Sequence, residues 1–380
     1  WNKYRRGWSN DKFARDYWIA AECAEHNLLP IRDPSFDIKR NTGFHFDAVK
    51  FAEWLRDNKC QSVKRIIGTV DDFERVGDDI KYLWIDEKQH EADLYFDCTG
   101  FTSLLNNSEW LDYSDWLPND TAWVTRLEYK DKQEELKSYT QCTALSSGWV
   151  WTVPTFARIG TGYVFSSKYQ DHQSALKEFA SFLKYDTEEF RKIHFKTGRK
   201  KEIWCGNVVS IGLSGGFIEP LESNGLLSVH EFLLKFCRMW RPHTTQMMRD
   251  TYNKAVAFAF DGFASFVALH YALTQRHDSD YWKAVSQIRY PDGNMIEAAK
   301  ITMMEESHNF ASKLNWEGDS LYCVMAGHGW NPFNDVIESE ILFHGGIPED
   351  SHLNSWTHEW NHARLGVNPL DYYNRTLYAV

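Results

Sequence analysis

Gly216-Phe217-Ile218-Glu219-Pro220-Leu221-Glu222-Ser223-Asn224-Gly225-Leu226 closes an apolar, strand-like run and opens a strongly periodic helix. A junction of this kind makes the helix start a candidate anion site. Its first backbone N–H groups have no partner within the helix, and the positive end of the helix dipole faces the same way. Gly225 lets an ion approach the backbone closely. Glu222 stands beside that site as a candidate acid or base, because a carboxylate at such a turn is costly without a role or a partner. Ser223 reads equally as part of the turn and as an ordinary helix cap.

Upstream of Gly225 strand-like segments alternate with helices. The run 45–55 reads as a helix with Phe51, Trp54 and Leu55 on one face, and short strand candidates follow through Tyr95. Asp93 to Gly100 looks like a buried strand stopped by a glycine turn. Trp149-Val150-Trp151-Thr152-Val153 is a second strand, stopped by Pro154, with both tryptophans on one face, and Gly162-Tyr163-Val164-Phe165 follows a turn. Downstream, Leu226, Val229, Leu233, Phe236, Cys237 and Trp240 recur at helical spacing, and 255–273 and 295–313 behave alike. The pattern is an α/β domain over 1–225 followed by a mainly helical lobe over 226–380.

The 380 residues suffice for one large domain or two, and 17 Trp, 18 Tyr and 24 Phe suit pockets lined by flat rings as well as an aromatic core. A net charge of −11 argues against a nucleic-acid surface, which needs a basic face. The seven cysteines (Cys23, Cys60, Cys98, Cys142, Cys205, Cys237 and Cys323) include no Cys-x-x-Cys pair, which fits a reducing, cytoplasmic setting. The apolar stretch 255–273 carries Asp261 and His270 and reads as a buried helix, so no membrane span is expected. His230 and His270, on helices with apolar neighbours, read as core histidines. A homo-oligomer is left open.

Four segments, in order, resemble the flavin-dependent halogenases of the tryptophan halogenase family. The first is Asp93–Gly100, with Val70 upstream resembling the valine on the adenine side of the dinucleotide. Trp149-Val150-Trp151-Thr152-Val153-Pro154 resembles the family's Trp-x-Trp-x-Ile-Pro motif, with Val153 in place of isoleucine. The stretch Trp204–Ser223 is similar to the apolar strand and flavin-facing turn, with Leu213 and Leu226 at flavin-contact positions, and reads Gly212-Leu213-Ser214-Gly215 where flavin hydroxylases commonly carry Asp after the glycine. It ends in Pro-Leu-Glu-Ser-Asn-Gly, which has Asn224 where the family usually has threonine. The fourth, Phe266–Trp282, resembles the start of the substrate-covering lobe and is expected to shape the fold rather than catalyse.

The resemblance implies an FAD-dependent monooxygenase-like α/β fold of the glutathione-reductase type. It implies a halogenase that uses reduced FAD, supplied by a separate flavin reductase, with dioxygen and halide to make hypohalous acid for electrophilic halogenation of an indole- or phenol-like ring. In that reading Glu222 and Ser223 are catalytic, and Asn224 and Gly225 hold the halide. Val70, Leu213 and Leu226 contact the cofactor, while Trp149, Trp151 and Pro154 wall flavin from substrate. The phosphate-binding Gly-x-Gly-x-x-Gly and the family's catalytic lysine do not occur in their expected form, and both are expected upstream of Trp1. Three alternatives stand beside it. One is a flavin monooxygenase of the same fold, and another a non-catalytic flavin-binding protein. The third is a zinc peptidase built on His358-Glu359-Trp360-Asn361-His362, which lacks a third ligand at the usual later offsets, so no metal site is assigned.

Overall fold

The computed structural model describes residues 19–31, 37, 42–185, 189–288, 323–325, 327–328 and 366–377. Among them run strands β1 (Val70–Val76), β2 (Asp79–Ile85), β3 (Lys88–His90), β4 (Tyr95–Asp97), β5 (Trp110–Asp112), β6 (Thr121–Leu127), β7 (Gln141–Ala144), β8 (Gly148–Pro154), β9 (Ile159–Phe165), β10 (Arg191–His194), β11 (Gly198–Lys200), β12 (Trp204–Cys205), β13 (Val208–Ser210) and β14 (Gly216–Phe217). The helices are α1 (Ile19–Glu25), α2 (Ala48–Asn58), α3 (Lys132–Glu135), α4 (His172–Leu183), α5 (Asn224–Met239), α6 (Gln246–Ala272), α7 (Asp280–Val285) and α8 (Pro369–Thr376).

The largest sheet has the order β10-β6-β9-β8-β7, and its strands pair antiparallel. Its β-branched and aromatic residues fit a pleated, half-buried surface, and alternation sorts them by face. Trp149 and Trp151 pack with the main core, whereas Val150, Tyr163 and Phe165 join a smaller cluster with Ala175 and Phe179 of α4. Asp171 starts α4 by accepting the N–H groups of Gln173 and Ser174. As expected, Asp93–Gly100 contains a strand: β4 lies parallel to β13, and Gly100 follows at φ +69°.

The main core gathers residues from both sides of position 225, including Trp116, Trp149, Phe232, Phe260 and Tyr271. Helix α6 runs through it. By length and composition α6 is apolar enough to cross a membrane, yet half of that stretch is buried inside the protein. Asp261 at its middle forms a two-pronged ion pair with Arg199, at 2.8 and 2.9 Å, and accepts the Tyr113 hydroxyl.

Two helical expectations are corrected by packing. Helix α2 begins at Ala48, capped by Asp47, and its Phe51 and Trp54 are 45% and 49% exposed, so the apolar face read from sequence covers no core among the described residues. In α5 the buried row is Asn224, Ser228, Phe232 and Phe236. Leu226, Cys237 and Trp240 are exposed. The helix carries apolar residues on more than one stripe, and its contact with α6 selects the row spaced by four. The expected helix over 295–313, His358–His362 and Trp1 lie outside the described residues.

Candidate active site

After β14 the chain is forced extended at Glu219 (φ −50°, ψ 142°) by the proline that follows it. Pro220–Glu222 then makes one 3-10 turn, and Ser223 turns left-handed (φ 53°, ψ 26°), donating its N–H to the Pro220 carbonyl at 3.0 Å. Because of that turn the Ser223 side chain does not cap α5, which removes the ordinary-cap reading. The helix start is left with unfilled donors. Asn224, 6% exposed, adds a buried Nδ2 amide with no hydrogen-bond partner.

These donors border a cleft of about 280 Å³ lined by Gly212, Leu213, Phe217, Asn224, Gly225 and Leu226. Leu213 and Leu226 expose apolar surface there, Gly212 sits at φ +69°, and nothing lies within 4 Å of where a Cβ on Gly225 would stand. Apolar walls beside an orphaned buried amide and open glycine backbone fit an aromatic ring system with a small anion at its edge. Val70 does not line this cleft; it begins β1, opposite Ile85 of β2.

On the other side of the same turn, a second cavity of about 470 Å³ is lined by Cys142, Trp149, Leu221, His270, Tyr271, Trp282 and His328, among others. Its polar groups carry little free charge. Arg276 is bound bidentately by Asp278 at 2.9 and 2.6 Å and lies 4.9 Å over the Trp282 ring. Burial, reinforced by the neighbouring His270, lowers His328 to about 4, and burial with the Glu222 charge pushes the Cys142 thiol up to about 11. Such a cavity is suited to a neutral aromatic guest.

Glu222 meets this cavity through His270. Its Oε1 lies 2.9 Å from His270 Nε2, while His270 Nδ1 lies 2.9 Å from the Phe266 carbonyl. Between cleft and cavity sits Glu219, fully buried. Its Oε2 accepts from Trp149 Nε1 (2.8 Å), Asn119 Nδ2 (2.8 Å) and the Tyr271 hydroxyl (2.5 Å), while Oε1 has no partner. Burial raises its carboxyl above the usual range against the lowering effect of those three donors. Trp149 is thereby tied to both the turn and α6.

Trp151, two residues along β8, has its ring centroid 6.1 Å from that of Trp149. Pro154 ends the strand opposite Ile159, and its carbonyl accepts from His45 Nδ1 at 2.8 Å. Leu213, Asn224, Gly225 and Leu226 line the cleft and Trp149 lines the cavity, Glu222 and Ser223 form the turn between these residues without lining either space, and Val70, Trp151 and Pro154 line neither. His270, read from sequence as a core histidine, is a partner of Glu222. Glu219 and His328 carried no assignment from sequence. For Glu219 a usable signal existed, an acid fixed by a following proline at the end of an apolar strand.

A tryptophan halogenase family model matches residues 1–338. The chain is 34% identical to tryptophan 6-halogenase SttH of Streptomyces toxytricini over 75% of its length and 57% of the relative's. It is 31% identical to tryptophan 7-halogenase RebH of Lentzea aerocolonigenes over 77% of its length and 60% of that protein's. It thus spans about three fifths of the length of these relatives. Its structure superposes on Tar14, a tryptophan C-6 flavin-dependent halogenase (chlorinase) from taromycin biosynthesis, with a TM-score of 0.84, 25% identity, and coverage of 98% of this chain and 78% of that one. The mixed α/β architecture is that of an FAD-binding fold. With the Trp149–Pro154 strand and the Glu222–Gly225 turn in place, the chain belongs to the tryptophan halogenase family.

Proposed function

We propose that this protein is a flavin-dependent halogenase that installs halogen on an aromatic, indole- or phenol-like ring. The observation that carries the reading is the division made by one turn, with unfilled donors and an apolar cleft on one side and an aromatic-lined, weakly charged cavity on the other. When bound, reduced FAD supplies the chemistry that converts dioxygen and halide into hypohalous acid.

Leu213 and Leu226 would hold the flavin ring, Val70 the adenine side, and Asn224 and Gly225 the halide. Ser223, through its left-handed turn, aims those donors into the cleft. Trp149 and Trp151, with Pro154 closing their strand, separate flavin from substrate, so that the ring meets the electrophile and not the oxidant that makes it. Glu222 takes the proton that halogen displaces from the ring, and the cavity sets which carbon reacts by how it orients the ring. A separate flavin reductase supplies the reduced cofactor. Free thiols at Cys60, Cys98, Cys142, Cys205 and Cys237 support a cytoplasmic setting. The residues 1–225 and 226–380 act as cofactor-and-halide and substrate-covering parts.

The test supplies the full-length protein with FAD, a flavin reductase, NADH and bromide, and offers a panel of indoles and phenols. Products carrying bromine's isotope doublet, absent without flavin, support the reading. Oxygenated, bromine-free products would replace it with a flavin monooxygenase.

A further inference from the structure

His270 has an acceptor at each ring nitrogen. Nδ1 lies 2.9 Å from the Phe266 carbonyl, which can only accept, so Nδ1 carries a hydrogen. Nε2 lies 2.9 Å from Glu222 Oε1. That second contact needs a hydrogen of its own between Nε2 and Oε1. A lone imidazole and a lone carboxylate would have no such contact to share.

The Glu222 side chain is 37% exposed and so keeps part of its hydration, whereas the His270 side chain is only 17% exposed. The charged or titratable groups nearby are Glu219 and Tyr271 on the turn and α6, Cys142 on β7, and His328. His328, its ring 6.2 Å from that of His270, is held neutral and adds no competing cation. The Phe266 ring meets the imidazole edge-on at 5.1 Å and restricts its rotation. The i−4 carbonyl and this ring lock the His270 rotamer, and His270 in turn holds one carboxylate oxygen of Glu222.

We propose that His270 is a positioning residue for Glu222 in the halogenation assigned above, on which this inference rests. By occupying Oε1 it leaves the second carboxylate oxygen to receive the ring proton. In that step the C–H bond breaks and its electron pair returns to the ring, restoring aromaticity. The O–H bond forms on Glu222, and the proton leaves to solvent through the exposed side of the carboxyl. Halogen has already been added by hypohalous acid, so no further reactant is needed.

The experiment compares full-length wild type, His270→Ala and His270→Gln in bromination of an accepted indole, each with the indole protiated and deuterated at the reacting carbon. His270→Ala should lower kcat at least tenfold with KM nearly unchanged, and a deuterium isotope effect larger than wild type's should emerge as proton loss becomes limiting. His270→Gln, which places a neutral donor near the Nε2 position, should recover part of kcat and shrink the isotope effect. Flavin binding, followed by quenching of flavin fluorescence, should be the same in all three. An alanine variant with wild-type kcat and isotope effect overturns the proposal, as does a glutamine variant no better than alanine despite normal flavin binding. Absence of brominated product from wild type would instead overturn the halogenase reading itself.

Discussion

Trp151 and Gly162 are cross-strand partners in the β8–β9 ladder, and the indole occupies the space a side chain on Gly162 would need. A Cβ there would stand 2.2 Å from the Trp151 ring. Gly162→Ala must therefore displace the indole. It should destabilise the protein by about 1–3 kcal/mol, the usual cost of overpacking, and shift the tryptophan fluorescence; thermal denaturation with emission spectra checks both. An unchanged spectrum and melting temperature would mean that the Trp151 ring lies elsewhere.

Glu219 offers a pH signature. Burial raises its folded carboxyl above the unfolded value, so the native state binds its proton more tightly than the unfolded chain does. The associated stability is fully present below the ordinary glutamate pKa of about 4.3 and is lost as pH rises through the folded value. Glu219→Gln cannot ionise. Its melting temperature should gain on wild type as pH rises from about 5 to 8, and parallel curves would contradict the buried acid.

Asp261 should matter for stability far more than a surface acid. Its partner Arg199 has a side chain only 9% exposed, so Asp261→Ala strands a nearly buried guanidinium and the Tyr113 hydroxyl together. Asp261 itself is half exposed, which tempers the loss to about 2 kcal/mol. Urea denaturation would show it as a lower midpoint at constant slope.

Glu222→Gln should cut bromination about a hundredfold or more, the scale of a lost general base. The reduced-flavin step should be untouched. Single-turnover assays should then show hypohalous acid, trapped with monochlorodimedone, forming at the wild-type rate while aryl bromide lags. Equal aryl bromide yields would remove Glu222 from the reaction.

Much of this arrangement was legible in the chain. The turn 216–226 announced itself through the change from strand to helix period, and Trp149 and Trp151 through alternation in an aromatic, β-branched strand. What stayed hidden depended on tertiary contacts. The buried row of α5 could not be chosen by periodicity, since several of its faces are apolar. His270 sits among apolar neighbours in sequence, and only the crossing of α6 over the 3-10 turn brings Glu222 within 2.9 Å of it. Glu219 is three positions from Glu222, yet the pre-proline backbone turns its carboxyl into the core, where Trp149, Asn119 and Tyr271 converge from separate elements. Val70 was named by resemblance alone and lines neither space.

Halide is expected at the start of α5 and the aromatic ring in the cavity beyond Glu219. The most direct measurement is the anomalous difference map of a crystal of the full-length protein soaked in bromide, collected at the bromine absorption edge, for wild type and Asn224→Ala. A peak within hydrogen-bonding reach of the Asn224 and Gly225 N–H groups, weakened when the Asn224 amide is removed, is the predicted result. A bromide peak in the Trp149–His270 cavity, with the α5 start empty, would contradict it.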